Sequence, residues 1–325
     1  MSIRINDRQL KTKLADEYFS SGDYDRALNF IRRFRGAARR QFKSKEFAAH
    51  YRLGVAACAT NDFSAAHKHF SAAIPLAETL SDLKICEARL ATLKRLILTP
   101  APPLPAAIRG RKHNHPDCEG KSFYECASSE AIRAIFPAET LHRDSLQPEI
   151  DATFAVGAYK SWWHAKSYNP YSQAVKLAQR PQSHILLEPL GILLAEFVSG
   201  GEAAIVRQTA DFIIPIPAEI ADPESWRYRA LAAIGDVMAR RFGLPLFNVM
   251  KAAPAPKNRH TRHSHHPAPP PFTLTDPELV SGRHVLLLDD ITTYRRTVKQ
   301  AAAVLKAAGA QKVTAIILAY TEAKR

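Results

Sequence analysis

One stretch near the carboxyl end of the chain constrains the fold more than any other, because its order of elements is that of a parallel sheet. Val285 to Leu288 is a continuous apolar run, as in a strand covered on both faces, and two aspartates follow it directly. A helical pattern comes next, with Thr297 as the expected N-cap and Gly309 at the position of a left-handed C-cap. A second apolar run, Val313 to Ala319, completes the unit. The sequence therefore predicts an α/β core with a mostly parallel sheet and flanking helices.

The turn after the first strand carries the residues best suited to bind a ligand. Asp289 and Asp290 stand at the carboxyl end of the strand, where such units bind their ligands. Adjacent carboxylates accept hydrogen bonds from vicinal hydroxyls, and backbone amides at the start of the next helix hold phosphate. A sugar phosphate offers both groups. In other doubly wound proteins the same Asp-Asp pair binds only Mg²⁺ or has no function, and that alternative stays open.

Residues 285–297 resemble the signature with which type I phosphoribosyltransferases bind phosphoribosyl pyrophosphate (PRPP). That signature is a short apolar strand, Asp-Asp, two further residues, Thr-Thr-Gly, a small residue and Thr. The resemblance implies that Asp289 and Asp290 are the catalytic pair and hold the ribose hydroxyls. It also implies that Thr293 and Thr297, with the amides between them, bind the 5-phosphate, and it assigns Thr292 to the same substrate site.

Two positions depart from this signature. Tyr294 stands where a second Thr or an Arg is usual, and Arg295 stands where the family has Gly. Because glycine lets a backbone approach a phosphate closely, a bulky residue at this position opposes ordinary PRPP binding. Either the guanidinium groups of Arg295 and Arg296 supply the phosphate contacts, or the loop is inactive.

Upstream segments resemble the ComF-like branch of the same family. Residues 212–217 form an apolar strand that ends in Pro-X-Pro, and the resemblance implies a pyrophosphate loop made of Pro215, Ile216, Pro217 and Ala218. A helical pattern covers Trp226 to Phe242 and stops at Gly243. Residues 155–159 and 186–191 resemble the substrate-covering hood of that branch. The resemblance extends over about residues 150 to 320.

A proline-rich segment, residues 252–272, is predicted to be a mobile loop because its prolines exclude both helix and central strand. In type I phosphoribosyltransferases a flexible loop closes over the substrates. The resemblance implies that Lys257, Arg259 and Arg262 meet the leaving pyrophosphate. The histidines of this segment lack the regular spacing of a zinc site, so we expect a solvated loop.

The first 98 residues are predicted to be all-helical, because apolar and alanine residues recur there at helical spacing. Gly22-Asp23-Tyr24 returns as Asn61-Asp62-Phe63 after 39 residues. This part resembles tetratricopeptide repeats, whose period is about 34 residues, with residues 82–98 as a helical element that caps the stack. An unrelated antiparallel helical bundle with the same turns is the alternative.

Residues 99–150 are predicted to be a proline-containing linker followed by an irregular segment. A weak zinc candidate within it consists of His113, His115, Cys118 and Cys126. The paired Cys-X-X-Cys spacing of a zinc ribbon is missing, so we favour a loop with free thiols. Four cysteines without a dense framework also fit a reducing compartment.

Positive charge is concentrated in the predicted helical part. Residues 1–98 contain 18 Lys and Arg against 10 Asp and Glu, which is +8 of the formal net charge of +14. Between residues 26 and 52 only Glu46 opposes the basic side chains of Arg26, Arg32, Arg33, Arg35, Arg39, Arg40, Lys43, Lys45 and Arg52. Such a face predicts a protein or nucleic-acid partner, with a solvated face as the alternative.

The chain lacks the apolar run of roughly 20 residues that a membrane helix needs, and Met1 to Asp16 contains no apolar signal-peptide core. We therefore expect a cytoplasmic protein. Its 325 residues suit two domains, a helical one at 1–98 and a phosphoribosyltransferase-like one at 151–325.

Two functions follow from the resemblance. The first is Mg²⁺-dependent transfer of the phosphoribosyl group of PRPP to a nitrogen acceptor with release of pyrophosphate, the reaction of a pentosyltransferase. The second is a catalytically inactive, PRPP-binding adaptor or regulator, in a process such as DNA uptake during competence, that acts through the basic helices. The two aspartates and outer threonines favour the first function, and Arg295 favours the second.

Overall fold

The structure, a computed structural model, describes residues 7–98, 150–159, 172, 175–176, 178–179, 186–199, 203–217, 226–252, 272–292 and 296–321. The chain divides into two compact units, Met1–Leu98 and Thr99–Arg325. We call them the helical unit and the α/β unit and describe each by itself. The predicted linker at 99–149 and the interior of the predicted mobile loop, 253–271, lie outside the described residues.

Short turns join the helices of the helical unit. These helices are α1 (Asp7–Ser20), α2 (Tyr24–Ile31), α3 (Ala37–Arg40), α4 (Lys43–Ala59), α5 (Phe63–Ala73) and α6 (Leu80–Leu98). A 3₁₀ turn, Ile74–Leu76, follows α5 and contains Pro75, which has no N–H to continue an α-helical ladder. The predicted helical character of this part is confirmed.

The 39-residue repeat of the sequence is also a repeat of backbone geometry. Gly22 after α1 and Asn61 after α4 both adopt the left-handed conformation, with φ of 75° and 62°. The next residues, Asp23 and Asp62, cap the following helices, because each carboxylate accepts the N–H three residues on, at 3.2 Å and 3.0 Å. A left-handed residue thus ends one helix and an aspartate starts the next, which reverses the chain in three residues.

Close packing of α4 on α5 depends on Gly54. A Cβ atom at this position would lie 2.7 Å from the ring of Phe70, which is fully buried. The guanidinium of Arg89, from α6, lies over the same ring at 5.5 Å from its centroid. Phe70 is therefore the side chain on which α4, α5 and α6 converge.

A four-stranded parallel sheet forms the centre of the α/β unit. The strands of this unit are β1 (Ala152–Tyr159), β2 (Phe212–Pro215), β3 (Met250–Ala252), β4 (Phe272–Leu274), β5 (His284–Thr292) and β6 (Lys312–Thr321). The main sheet has the order β1-β6-β5-β2, and every neighbouring pair is parallel. Strands β3 and β4 form a separate antiparallel pair. The predicted parallel α/β core is thus confirmed at this level.

The described helices of the α/β unit flank the sheet. They are α7 (Leu187–Ser199), α8 (Ala204–Thr209), α9 (Trp226–Phe242) and α10 (Arg296–Ala307). Helix α9 has the bounds that the sequence predicts, and Gly243 ends it with φ of 60°. Gly191 brings α7 against α9, since a Cβ there would lie 2.5 Å from the Cβ of Val237.

Helix α10 connects β5 to β6, as predicted, and its carboxyl end follows the predicted C-cap. Gly309 has φ of 88° and donates its N–H to the carbonyl of Lys306 at 2.9 Å, while Ala310 donates to Leu305 at 3.0 Å. The N-cap prediction is wrong. Because Arg296 already has helical backbone, Thr297 lies inside the first turn rather than before it.

The core of the α/β unit confirms that β5 is covered on both faces. Residues Val285 to Leu288 are fully buried, and β6 contributes a similarly buried run from Val313 to Ala319. At roughly 1.5–3 kcal/mol for each fully buried large apolar side chain, these two strands are a principal source of stability. Among the described residues, the helices are all too short or too polar to cross a membrane.

Replacing Gly54 by Ala is expected to destabilise the helical unit by about 1–2 kcal/mol, because overpacking against the immobile Phe70 ring outweighs the gain in helix propensity. Urea unfolding followed by circular dichroism measures the loss. All three tryptophans lie in the α/β unit, so their fluorescence is the internal control and should change little.

Adding Phe70→Leu supplies the space that the new methyl group needs. The double variant should therefore be more stable than the sum of the two single losses by at least about 0.5 kcal/mol. Strict additivity would contradict a steric conflict at this contact.

Candidate functional site

The pairing of the sheet changes where β2 ends, because β5 continues without β2 beside it. Pro215, the last residue of β2, pairs with Leu288 of β5, and Ile216 then donates its N–H to the carbonyl of Leu288 at 2.8 Å. Strand β5 runs on to Thr292, and among the described residues β6 is its pairing partner from there on. The predicted pyrophosphate loop and the predicted ribose site are therefore neighbours, with Pro215 to Pro217 leaving the sheet beside Asp289. Ala218 lies outside the described residues.

Asp289 and Asp290 lie in the sheet itself, one residue further along than the apolar run. Their exposed fractions are only 8% and 9%. Asp289 accepts the N–H of Asp290 on Oδ1 at 2.9 Å, and Asp290 accepts the N–H of Ile291 on Oδ1 at 2.6 Å. Each carboxylate is thus fixed by the next peptide, which compensates in part for its removal from water.

Gln179 is a third member of this site that the sequence did not predict. Its Nε2 donates to Oδ2 of Asp290 at 2.7 Å, across 111 residues of sequence. Both oxygens of Asp290 therefore accept hydrogen bonds, and its carboxylate is held in one orientation. No local pattern could have identified Gln179, because its role depends on a tertiary contact.

The start of α10 follows the carboxylates after five residues. Arg296, the first residue of the helix, is exposed, and Thr297 is half-buried. The first N–H groups of a helix have no intrahelical acceptor, so this end attracts anions. Of the other predicted phosphate ligands, Thr292 is the last residue of β5, and Thr293 and Arg295 lie outside the described residues.

The ends of the predicted mobile loop are strand residues. Ala252, the last residue of β3, pairs with Phe272, the first of β4, so the chain leaves and re-enters the fold at adjacent positions. The loop bases Lys257, Arg259 and Arg262 lie outside the described residues. The same holds for the whole zinc candidate, His113, His115, Cys118 and Cys126.

Within the part of the chain that the structure describes, His, Cys, Asp and Glu side chains do not gather in groups of three or more that could hold a metal ion. The two aspartates alone offer oxygen ligands of the type that Mg²⁺ prefers. Cys58 and Cys86 of the helical unit are buried and do not form a disulfide.

A second buried polar group lies at the opposite end of β5. The backbone N–H of His284 donates to Oδ2 of Asp211 at 2.8 Å, and His284 Nε2 lies 2.9 Å from Oγ1 of Thr314. Burial, followed by the charge of Lys312, lowers the pKa of His284 to about 4, against the partial opposition of Asp211. This group ties β5 to β6 and to the start of β2, and its position makes it structural.

Comparison of the whole chain with protein-family models and with curated proteins finds no match. The functional argument therefore depends on the geometry of the site and on the motifs that the sequence carries.

His284 should make the stability of the α/β unit depend on pH. Since the pKa of His284 is lower in the folded state than the unfolded value of about 6.5, the unfolded chain binds the proton first, and stability falls as pH drops from about 6.5 towards about 4. In His284→Gln this fall should be smaller by up to about 3 kcal/mol. Urea unfolding followed by tryptophan fluorescence reports on this unit alone. Parallel pH profiles for the two proteins would show that His284 does not titrate on unfolding.

Proposed function

We propose that the α/β unit is a phosphoribosyltransferase-like domain that binds PRPP and transfers its phosphoribosyl group to a nitrogen acceptor, releasing pyrophosphate. The observation that carries the proposal is the pair of buried carboxylates, Asp289 and Asp290, at the carboxyl end of a central parallel strand. In α/β sheets ligands bind at this edge. The helical unit is proposed to be a tetratricopeptide-like scaffold, on the strength of its repeated turns.

The ribose is the part of PRPP that the carboxylates suit best. Vicinal hydroxyls donate, and ionised carboxylates only accept, so Asp289 and Asp290 can bind one hydroxyl each. Gln179 supports this role because it holds Asp290 in place with a neutral donor and adds no charge that would compete. A carboxylate that is already oriented loses little entropy when the sugar binds.

The two phosphate-bearing ends of PRPP have separate candidate partners. The 5-phosphate would lie at the start of α10, with Thr297 and the exposed Arg296 in the first turn. Pyrophosphate would lie on the other side of the aspartates, against the backbone of Pro215 to Pro217. The short β2 supports this division, because β5 extends beyond it and carries both aspartates past its last paired residue.

In the proposed reaction the bond from the ribose anomeric carbon to the pyrophosphate oxygen breaks, and both of its electrons leave with pyrophosphate. A lone pair of the acceptor nitrogen forms the new bond to the same carbon. Positive charge develops on the sugar between these events, and the negative Asp289 and Asp290 stabilise it most at that point. Burial of both carboxylates strengthens this effect, since it lowers the local dielectric.

The site also fits the magnesium ion that such a reaction requires. The aspartate pair offers carboxylate oxygens but few ligands in total, which suits an ion that keeps several waters and shares substrate oxygens. When bound, Mg²⁺ would neutralise charge on the leaving pyrophosphate.

The second candidate function is a domain that binds PRPP without turnover and acts as an adaptor or regulator through its helical unit, for example in DNA uptake. Arg295 favours it, because this side chain occupies the position where a glycine would let the backbone reach the phosphate. Both functions need the same ribose contacts, so a measurement of PRPP binding tests what they share. Release of pyrophosphate then distinguishes the enzyme from the adaptor.

Asp289→Asn should weaken the binding of PRPP with Mg²⁺ by about 10- to 100-fold, because it removes a charged acceptor from a sugar hydroxyl. Isothermal titration calorimetry measures the affinity. Glu278→Gln is the matched control, since it makes the same change in charge at an exposed position of a 3₁₀ turn, and its affinity should stay within about twofold of the parent. Absence of PRPP binding in the parent protein would contradict both proposed functions.

Release of pyrophosphate from PRPP with a panel of nitrogenous bases then separates the two functions. An enzyme releases pyrophosphate with at least one base, and Arg295→Gly should raise the rate if the arginine hinders the phosphate loop. A PRPP-binding adaptor gives no release from either protein.

Gln179→Leu should lower PRPP affinity by about tenfold, because Asp290 loses the donor that orients it. The unfolding free energy of the α/β unit, measured by tryptophan fluorescence, should change by less than about 1 kcal/mol, since Gln179 is only half-buried. A large loss of stability with unchanged affinity would assign Gln179 a purely structural role.

A further inference from the structure

A cavity of about 480 Å³ lies in the helical unit, well away in sequence from the aspartate site. Its volume is within the range of roughly 300–1,000 Å³ that small-molecule sites occupy. Its apolar lining residues, which we call the apolar wall, are Leu28, Ala72, Pro75 and Leu76. The other lining residues, which we call the charged wall, are charged or polar and come from α2 and its C-cap, α3, α4 and α5. A ligand that fits this cavity should therefore have one apolar and one charged part.

Three Arg and Lys side chains line the charged wall, and they differ in whether a carboxylate pairs with their positive charge. Arg39 donates its Nε–H to Glu46 at 3.1 Å and also forms an ion pair with it, and Glu46 is buried at 3% exposure. That pair is neutral as a whole. Arg32 and Lys68 then face a single further carboxylate, Asp25. The wall has an excess of positive charge even when its histidines are neutral.

Between these charges lies a pair of histidines. His50 of α4 and His69 of α5 approach to 3.2 Å between their Nδ1 atoms, and His50 is only 6% exposed. One ring must donate and the other accept, so the donor ring can take a further proton on Nε2 without losing this bond. The pair as a whole can thus accept one proton and keep its geometry.

The surroundings keep this pair neutral in the empty cavity. The pKa of His50 is lowered to about 4, mainly by burial and then by the charges of His69 and Arg32, with Glu46 opposing and Arg39 adding to the effect. The pKa of His69 is also below its usual value because of burial, with Asp25 opposing and Lys68 and Arg32 reinforcing. These are all the charged residues that line the cavity, from α2, α3, α4 and α5.

A metal ion does not suit the pair. The described residues supply no third ligand in a suitable group, and Arg32 and Lys68 would repel a cation. An anion suits the site better than a cation, because the arginine, the lysine and a protonated imidazole would all attract it.

We propose that this cavity binds a small organic phosphate, and that the His50–His69 pair takes up one proton when the phosphate binds. The phosphate lies between Arg32, Lys68 and the imidazole pair, and the organic part packs on the apolar wall. Binding is tighter at lower pH, since protonation adds a positive charge beside the anion. The site is independent of the proposed PRPP site, so either can fail without the other.

Sulfate is the probe for the anion subsite, because it carries two negative charges across the whole pH range used. Histidine signals in the NMR spectrum of the full chain, assigned with His50→Gln and His69→Gln, report on this cavity alone. Sulfate, added at constant ionic strength, should raise the pKa of the pair. Sulfate affinity should increase about tenfold between about pH 7.5 and about pH 5 and level off below the free-state pKa.

Arg32→Gln and Arg33→Gln form a matched pair of variants, since both remove one exposed positive charge from neighbouring positions but only Arg32 lines the cavity. Arg32→Gln should weaken sulfate binding by about tenfold, and Arg33→Gln by less than about twofold. Phenyl phosphate should bind about tenfold more tightly than sulfate because its ring reaches the apolar wall.

Three results would overturn the proposal. The first is a folded protein whose His50 and His69 signals do not move in about 50 mM sulfate. That concentration is well above the dissociation constant expected for an anion held by three positive charges. The second is equal weakening by Arg32→Gln and Arg33→Gln, which indicates general charge screening. The third is a sulfate affinity that does not change with pH, because such a result would show that no proton is taken up on binding. The third needs only the parent protein, because any histidine signal that shifts with sulfate reports the affinity, so a misfolded variant cannot leave the outcome open.

Discussion

The candidate site depends on a difference in length between two hydrogen-bonded strands. β2 stops at Pro215, opposite Leu288, whereas β5 continues to Thr292. Proline ends the ladder naturally, since it has no N–H to donate. The residues of β5 beyond Leu288 still pair with β6, so they keep the rigidity of a sheet past the end of β2. Rigid placement at an open edge is what a binding residue requires.

The sheet bears an energetic cost for this arrangement. Two carboxylates with less than a tenth of their surface exposed have lost most of their hydration. Hydrogen bonds from the next peptides and from Gln179 offset part of that cost, and the fully buried apolar run before Asp289 stabilises the strand that carries them. A purely structural role would be filled better by apolar side chains, and this cost supports the proposed ribose site.

The sequence predicted what is encoded locally. The apolar run 285–288, the limits of α9, the left-handed Gly309 and the repeated turn at Asp23 and Asp62 all depend on neighbouring residues, and all have the expected local structure. Even the local predictions can miss a helix boundary by a residue or two, since α10 begins at Arg296, before the predicted N-cap Thr297. Contacts between distant segments left no trace in the sequence pattern. Gln179 reaches Asp290 across 111 residues, and the His50–His69 pair joins two helices.

The basic character of the first 98 residues shows why composition alone is a poor guide to partners. Arg26, Arg39 and Lys45 pair with Asp23, Glu46 and Asp16, so the basic side chains of this unit are not equally available to a partner. The more exposed pairs, Arg26–Asp23 and Lys45–Asp16, contribute little to stability. In the cavity, by contrast, Arg32 and Lys68 lie beside histidines that burial keeps neutral. A bound anion would stabilise the folded helical unit in proportion to its occupancy, whereas the same charges on a flat surface would be screened by salt. The position of a charge relative to a cavity, more than the net total, therefore determines which ligand the helical unit can select.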